Sequence, residues 1–182
     1  MKLLSVILMK IVGWKKVGEM PSLEKSVLIF APHTTYWDGF YGKLFLMQLD
    51  MGYKFLSKKE FFRFPLNIFF TLYGSIPVSK DKEFVEEVVE LFKSKRILHI
   101  VLSPEGQMAR TDHWKKGFYY MANKANVPIV VGYMDYKKKE MGIKGVIYNT
   151  DDVGETMRQI CAMYKDVSGK YPEKFALDKR YS

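Results

Sequence analysis

Short apolar runs alternate along this chain with stretches in which apolar residues recur every three or four positions. An apolar run closed by proline, glycine or polar residues is typical of a buried strand, whereas the wider spacing is typical of a helix packed on one side. The pattern predicts strands at 27–31, 53–56, 74–78, 97–102, 127–133 and 145–148. It predicts helices at 37–48, 61–73, 81–95 and 115–125, and a last helix over 153–164 that is capped near Thr150 or Asp151.

Strands that alternate with helices predict an α/β fold, with a mixed, largely parallel sheet flanked by helices. The length of 182 residues and a hydrophobic content of 48% suit a single domain with one sizeable core. No repeat or linker divides the sequence, so residues 1–182 are predicted to be one domain in which residues 169–182 form a polar tail. High apolar content and a single cysteine exclude intrinsic disorder and a disulfide framework.

The first residues combine an apolar run with lysines and a tryptophan. Residues 3–9 are mostly apolar, Lys10 interrupts them, and two lysines follow Trp14. The run is shorter than the roughly 20 residues that a bilayer-spanning helix needs, and no small-x-small cleavage site follows it. The composition predicts a short amphipathic helix over 1–13 that lies in a membrane interface. A helix packed on the core explains the same pattern equally well.

The chain is basic, with 29 lysines and arginines against 20 aspartates and glutamates and a net charge of +9. An anionic partner is therefore expected, and a phospholipid surface, a phosphorylated substrate or a nucleic acid would each satisfy that charge. The aromatic residues cluster in apolar runs, apart from basic segments such as 137–139. Because a nucleic-acid binder would interleave the two, no nucleic-acid partner is expected, and an anionic membrane surface is favoured.

Two polar loops follow the ends of predicted buried strands, where open α/β sheets place their ligands. In the first loop, His33 and Asp38 are close enough in sequence for the carboxylate to reach one nitrogen of the imidazole. A carboxylate there fixes the tautomer of the ring and leaves the other nitrogen free to accept a proton from a hydroxyl. The structural alternative is a histidine that caps the next helix and an aspartate that complements its dipole. The second loop, 103–110, contains Gly106 and ends at Arg110, whose guanidinium is able to bind a phosphate bidentately.

Taken in order, four blocks of the sequence resemble those of the glycerolipid acyltransferase family, which includes the bacterial 1-acylglycerol-3-phosphate acyltransferases. Residues 33–38 (HTTYWD) resemble the His-x4-Asp block of that family, 74–80 (GSIPVSK) its second block, 104–106 (PEG) its third and 127–131 (VPIVV) its fourth. By order and spacing, the resemblance extends over about residues 13–175.

The resemblance implies an enzyme that transfers a fatty acyl group from an acyl thioester to the hydroxyl of a lysophospholipid, with 1-acylglycerol-3-phosphate as the leading acceptor. His33 would be the general base and Asp38 would orient it. Acyl-CoA or acyl carrier protein would be the co-substrate, and the enzyme would be peripheral, at the cytoplasmic face of a membrane. No other cofactor is expected, and no metal, because the three histidines are scattered and no cysteine pair exists. An acyltransferase for another lipid acceptor, and a basic membrane-binding module without catalysis, are the alternatives.

The expected acceptor site departs from the family pattern. Family members commonly have an arginine at the end of the second block and Glu-Gly-Thr-Arg in the third. This sequence has Lys80 in the first of these places and Glu105-Gly106-Gln107-Met108 in the second. The candidate substrate-binding residues are therefore Lys80, Glu105, Gly106, Arg110 and Lys59.

Three other side chains with reactive groups are assigned structural roles. His99 lies inside a predicted strand, and His113 has no acidic residue at the offset that relates Asp38 to His33. Cys161 lies in the middle of an apolar helix face, where a thiol is normally part of the core.

Overall fold

The computed structural model describes residues 2–49, 51–78, 84–148 and 151–182. Within these residues there are seven strands, which are β1 Lys15–Val17, β2 Lys25–Ala31, β3 Tyr53–Lys58, β4 Ser75–Val78, β5 Leu98–Leu102, β6 Ile129–Asp135 and β7 Glu140–Ile147. They form one sheet in the order β1-β7-β6-β2-β5-β3-β4. All neighbouring strands are parallel except β6 and β7, which are antiparallel. The predicted single-domain α/β fold with a mixed, largely parallel sheet is confirmed.

Helices cover both faces of this sheet. They are α1 Lys2–Ile11, α2 Tyr36–Leu46, α3 Leu66–Tyr73, α4 Phe84–Ser94, α5 Gly117–Ala125 and α6 Val153–Tyr164, and short 3-10 helices occupy Lys59–Phe62 and Pro172–Lys174. On one face, α4, α5 and α6 pack against a core that includes Val27 and Ile29. On the other face, α1 and α2 pack against a core that includes Leu28 and Val130. Because alternate residues of β2 from Val27 onward enter opposite cores, residues 27–31 are all apolar, which is why the sequence shows them as a continuous run.

Several boundaries differ from the prediction. The N-cap of α6 is Asp152, whose side chain accepts a hydrogen bond from the backbone N–H of Glu155, rather than Asp151, and Thr150 lies outside the described residues. Strand β7 begins at Glu140, five residues before the predicted start, and β1 was not predicted. Both strands lie at one end of the sheet. Strand β1 consists of two lysines and a valine, and β7 carries glutamate, lysine and two glycines among its apolar residues, so neither produces a continuous apolar run.

The C-terminal residues, predicted to be a polar tail, pack on the domain. We call residues 168–175 the strap. The backbone N–H of Tyr136 donates to the carbonyl of Ser168 at 2.9 Å, and the indole N–H of Trp114 donates to Ala176 at 2.9 Å. Beyond the strap, the fully buried Asp178 carboxylate accepts the backbone N–H of Trp114. The strap therefore runs across the carboxyl edge of the sheet, from the end of β6 to the segment that follows β5.

Helix α1 packs on the domain through one side, as the second alternative predicts, and exposes its other apolar residues. Ser5 and Met9 are buried against the domain, but six apolar residues on the remaining surface of the helix are exposed. These are Leu3, Leu4, Val6, Ile7, Leu8 and Ile11. Among the described residues, no helix has both the length and the apolar character needed to cross a membrane.

Candidate active site

The loop that carries His33 is built by the end of β2 and the start of α2. Strand β2 ends at Ala31, a cis peptide bond leads to Pro32, and α2 begins at Tyr36. Thr35 is the N-cap of α2, and the side chain of Asp38, at the third helical position, accepts the backbone N–H of Thr35 at 2.9 Å. This capping box fixes Asp38 at the point where the chain enters the helix.

The structure brings His33 and Asp38 together. Asp38 Oδ2 lies 3.3 Å from His33 Nδ1 and also accepts the backbone N–H of Thr34 at 2.7 Å. Asp38 Oδ1 accepts a hydrogen bond of 2.6 Å from the hydroxyl of Tyr136. The aspartate is buried, whereas the histidine side chain is 32% exposed. A fixed carboxylate beside Nδ1 leaves Nε2 as the nitrogen available to a substrate, which is the arrangement of a general base with its orienting acid.

Tyr136 is a member of this site that the sequence did not reveal. Burial, the hydrogen bond to Asp38 and the negative charge of Asp38 together raise the pKa of its phenol. The hydroxyl therefore stays protonated and remains a donor to the carboxylate. The ring packs edge-on against Trp14, with ring centroids 4.9 Å apart, and lies in the same aromatic cluster as Tyr41.

Glu105 lies beneath the His33 loop. Its buried carboxylate accepts the backbone N–H of His33 at 3.0 and 3.1 Å and the hydroxyl of Ser103 at 2.8 Å. Burial raises the pKa of this carboxyl to about 7, against the opposing effect of the two hydrogen bonds. Gly106 follows with a φ of +70°, and a Cβ there would lie 2.8 Å from Lys115 Cγ. Glu105 and Gly106 thus shape the 103–110 loop, and Glu105 contacts the backbone of the candidate base in the His33 loop.

The predicted basic residues are dispersed. Nη1 of Arg110 donates to the carbonyl oxygens of Glu173 and Phe175 in the strap, at 3.2 and 3.3 Å. Lys59 pairs with Glu87 of α4 at 3.2 Å and does not line the cavity described below. Lys80 lies outside the described residues. The structure therefore groups His33, Asp38 and Glu105, and it places Arg110 on the strap.

An apolar cavity of about 220 Å³ opens beside His33 and Asp38, between α2, α3 and the sheet. Its apolar lining includes Phe30, Leu46, Phe55, Leu56, Phe70 and Met134. Gly39 and Gly42 of α2 also line it, and the hydroxyl of Tyr73 donates to the carbonyl of Gly39 at 2.5 Å. A Cβ at Gly39 would lie 3.2 Å from the Tyr73 hydroxyl, so the glycine at this position permits the close approach. The shape and lining suit a hydrocarbon chain whose reacting end lies at His33.

The side chains that were assigned structural roles lie away from this cavity. His99 Nδ1 is 2.7 Å from the hydroxyl of Ser26, and burial lowers the pKa of the imidazole. Burial also raises the pKa of the Cys161 thiol, which is therefore a poor nucleophile. His113 is exposed and lies outside the cavity lining.

Comparison with known proteins agrees with this geometry. A family model described as Acyltransferase matches residues 14–134, a range that holds the His33 loop, Glu105, strands β1 to β5 and β6 up to its last residue. The chain belongs to the acyltransferase family. The fold of this acyltransferase is similar to that of the 1-acyl-sn-glycerophosphate (LPA) acyltransferase PlsC from Thermotoga maritima, with a TM-score of 0.60 and 13% sequence identity. The similarity covers 87% of this chain and 73% of that one. No curated protein sequence matches the chain.

Proposed function

We propose that this acyltransferase moves a fatty acyl group from a thioester of coenzyme A or acyl carrier protein to the hydroxyl of a lysophospholipid, with 1-acylglycerol-3-phosphate as the leading acceptor. The observation that carries the proposal is the His33–Asp38 pair at the mouth of an apolar cavity. The cavity would hold the acyl chain, so that the thioester carbonyl lies beside the imidazole. The LPA acyltransferase of similar fold supports this choice of acceptor.

In the proposed reaction, His33 Nε2 accepts the proton of the acceptor hydroxyl as its oxygen attacks the thioester carbonyl. An oxygen–carbon bond forms, the carbon–sulfur bond breaks, and the departing thiolate takes the proton back from the imidazolium. Asp38 stabilises the imidazolium charge through Oδ2, 3.3 Å from Nδ1. Glu105, which holds the backbone of His33, positions the base without touching the reacting atoms.

The same proposal includes docking at the cytoplasmic face of a membrane. Exposed apolar side chains extend from α1 to the start of α2 and to α3. In α2 and α3 they include Trp37, Phe40, Leu66, Ile68, Phe69 and Leu72. We call these residues, with the six exposed on α1, the apolar surface. Helices α2 and α3 also border the cavity, so lipid at this surface would lie next to the site.

Met108 is the reason to keep a second class of acceptor, a lipid with a different head group. Met108 stands where family members commonly have an arginine, so the phosphate contact expected there is missing. A lipid acceptor with a different head group would need no such contact.

The test measures acyl transfer by the purified protein with acyl-CoA and with acyl carrier protein against a panel of lysolipids in vesicles. His33→Ala is expected to lower the rate by at least about a hundredfold, the contribution typical of a general base. The matched control is His113→Ala, because His113 is exposed and lies outside the cavity. Vesicle binding should be unchanged in both variants. Equal turnover by the wild type and His33→Ala would refute His33 as the base, and no turnover with any acceptor would favour the membrane-binding module.

A further inference from the structure

Among the residues that the structure describes, which do not include Lys80, the predicted phosphate contacts are missing or engaged elsewhere, which raises the question of what else could bind an anion beside His33. Met108 has no charge, Lys59 pairs with Glu87, and Nη1 of Arg110 is bonded to strap carbonyls. We propose that Lys170, on the strap, binds the phosphate of the lipid acceptor beside His33. The inference rests on the proposed function and names a residue that recognises the acceptor.

Both neighbours of Lys170 in the strap contact the His33 loop. The residue before it, Gly169, is so close that a Cβ there would lie 2.9 Å from Thr34 Cγ2 and 3.1 Å from Pro32 Cβ. The backbone N–H of the residue after it, Tyr171, donates to Thr34 Oγ1 at 3.4 Å. Pro32 and Thr34 are the residues on either side of His33, so the two neighbours of Lys170 pack against the two neighbours of the candidate base.

The ammonium group of Lys170 is available to a ligand. It lies 5.4 Å from the ring centroid of Trp37 and 5.9 Å from that of Tyr171. No carboxylate among the described residues is within ion-pair distance of it. Trp37 itself is 52% exposed and belongs to the apolar surface. Stacking on aromatic rings orients a lysine while leaving its donors free for an anion.

The position of Lys170 also matches the shape of a lipid acceptor. 1-Acylglycerol-3-phosphate has an apolar acyl chain, a free hydroxyl on its glycerol backbone and a phosphate on the neighbouring carbon. Lys170 lies over Trp37, a member of the apolar surface, and the next residue of the strap is hydrogen-bonded to the His33 loop. An ammonium at the edge of an apolar surface is well placed for a phosphate at head-group level. Lys174, 4.8 Å from the ring centroid of Tyr171, adds a second positive charge on the strap.

The closing experiment compares Lys170→Met and Lys170→Glu with the wild type. Calorimetry measures the Kd of a short-chain 1-acylglycerol-3-phosphate, and of the uncharged monoacylglycerol with the same chain, below their micelle concentrations. Transfer assays measure the KM of the phosphorylated acceptor and the KM of acyl-CoA separately. Lys95→Met is the matched control, because Lys95 is an exposed lysine just before β5, at the opposite edge of the sheet.

Lys170→Met is expected to raise both the Kd and the KM of the phosphorylated acceptor about tenfold, equivalent to about 1.4 kcal/mol. Lys170→Glu is expected to raise them further, with the monoacylglycerol Kd and the acyl-CoA KM unchanged. An unchanged Kd for the phosphorylated acceptor in both variants would overturn the proposal. A rise in the KM of acyl-CoA alone would also overturn it, since the phosphate bound would then belong to the donor. Because calorimetry needs no turnover, a wild type that binds the acceptor but transfers no acyl group would refute the proposed function and leave the Lys170 result decisive.

Discussion

Replacing Tyr136 by phenylalanine removes one hydroxyl from the carboxylate that faces His33. Oδ2 of Asp38 keeps its two backbone donors from the His33 loop, but Oδ1 loses its 2.6 Å hydrogen bond. A hydrogen bond to a charged group contributes about 1.5–3 kcal/mol. Part of this is recovered by water, since Tyr136 is only half-buried. We therefore expect kcat to fall about tenfold, equivalent to about 1.4 kcal/mol, with little change in the KM of either substrate.

The assay is steady-state transfer from acyl-CoA by the wild type, Tyr136→Phe, Asp38→Asn and the double variant. If Tyr136 acts through Asp38, the tenfold loss disappears in the Asp38→Asn background. Tyr41→Phe is the matched control, because it removes a phenolic hydroxyl from the same aromatic cluster and keeps the ring. A Tyr136→Phe enzyme with the wild-type kcat, or one with the same loss in both backgrounds, would refute this reasoning.

Four further predictions concern three other residues of the site and its surroundings. The Glu105 carboxyl has a pKa raised by burial from 4.5 to about 7, so between these values the folded state holds a proton that the unfolded chain has released. Wild-type stability should therefore fall by up to about 3 kcal/mol as the pH rises from 4.5 to above 7, and Glu105→Gln should lose this dependence in urea unfolding; parallel pH profiles would contradict it. A Cβ at Gly42 meets no atom within 4 Å, so Gly42→Ala should raise the free energy of unfolding by about 0.5–1 kcal/mol. Gly42→Leu should shift the preference toward shorter chains when acyl-CoAs compete, and an unchanged chain-length profile would show that the cavity does not hold the acyl group. Leu4→Glu should weaken sedimentation with anionic vesicles about tenfold or more, since it removes an apolar side chain and adds a negative charge; equal binding would show that α1 does not dock.

The parts of the molecule that could be predicted from sequence are those that local spacing determines. The order of strands and helices follows from apolar periodicity. The contact between His33 and Asp38 could be predicted because the two residues are five positions apart, in the loop before α2 and in the first turn of α2. The single-domain α/β architecture could be predicted because most strands of the sheet are buried on both faces and read as apolar runs.

Contacts between residues far apart in the sequence could not be predicted from the pattern of apolar and polar positions. Tyr136 lies 98 positions from Asp38, and Glu105 lies 72 positions from His33, so no spacing rule connects either pair. The strap has few apolar side chains and is held largely by backbone groups, which leave no trace in the pattern of residues. The resemblance drew attention to Glu105 as a substrate contact, whereas the structure shows its carboxylate bonded to the backbone of the proposed base.

Under the proposed docking at a membrane, the apolar surface of α1, α2 and α3 also determines the units in which the concentration of an acceptor is expressed. An enzyme docked through this surface meets its lipid acceptor by diffusion in two dimensions, so the encounter rate depends on molecules per unit area of membrane. Diluting the acceptor with inert lipid at a constant bulk concentration would then slow the reaction, although nothing inhibits the enzyme. Adding acceptor and inert lipid in a fixed ratio would leave the rate per bound enzyme constant. For an enzyme docked in this way, Michaelis constants for the lipid acceptor are best expressed as mole fractions of the surface.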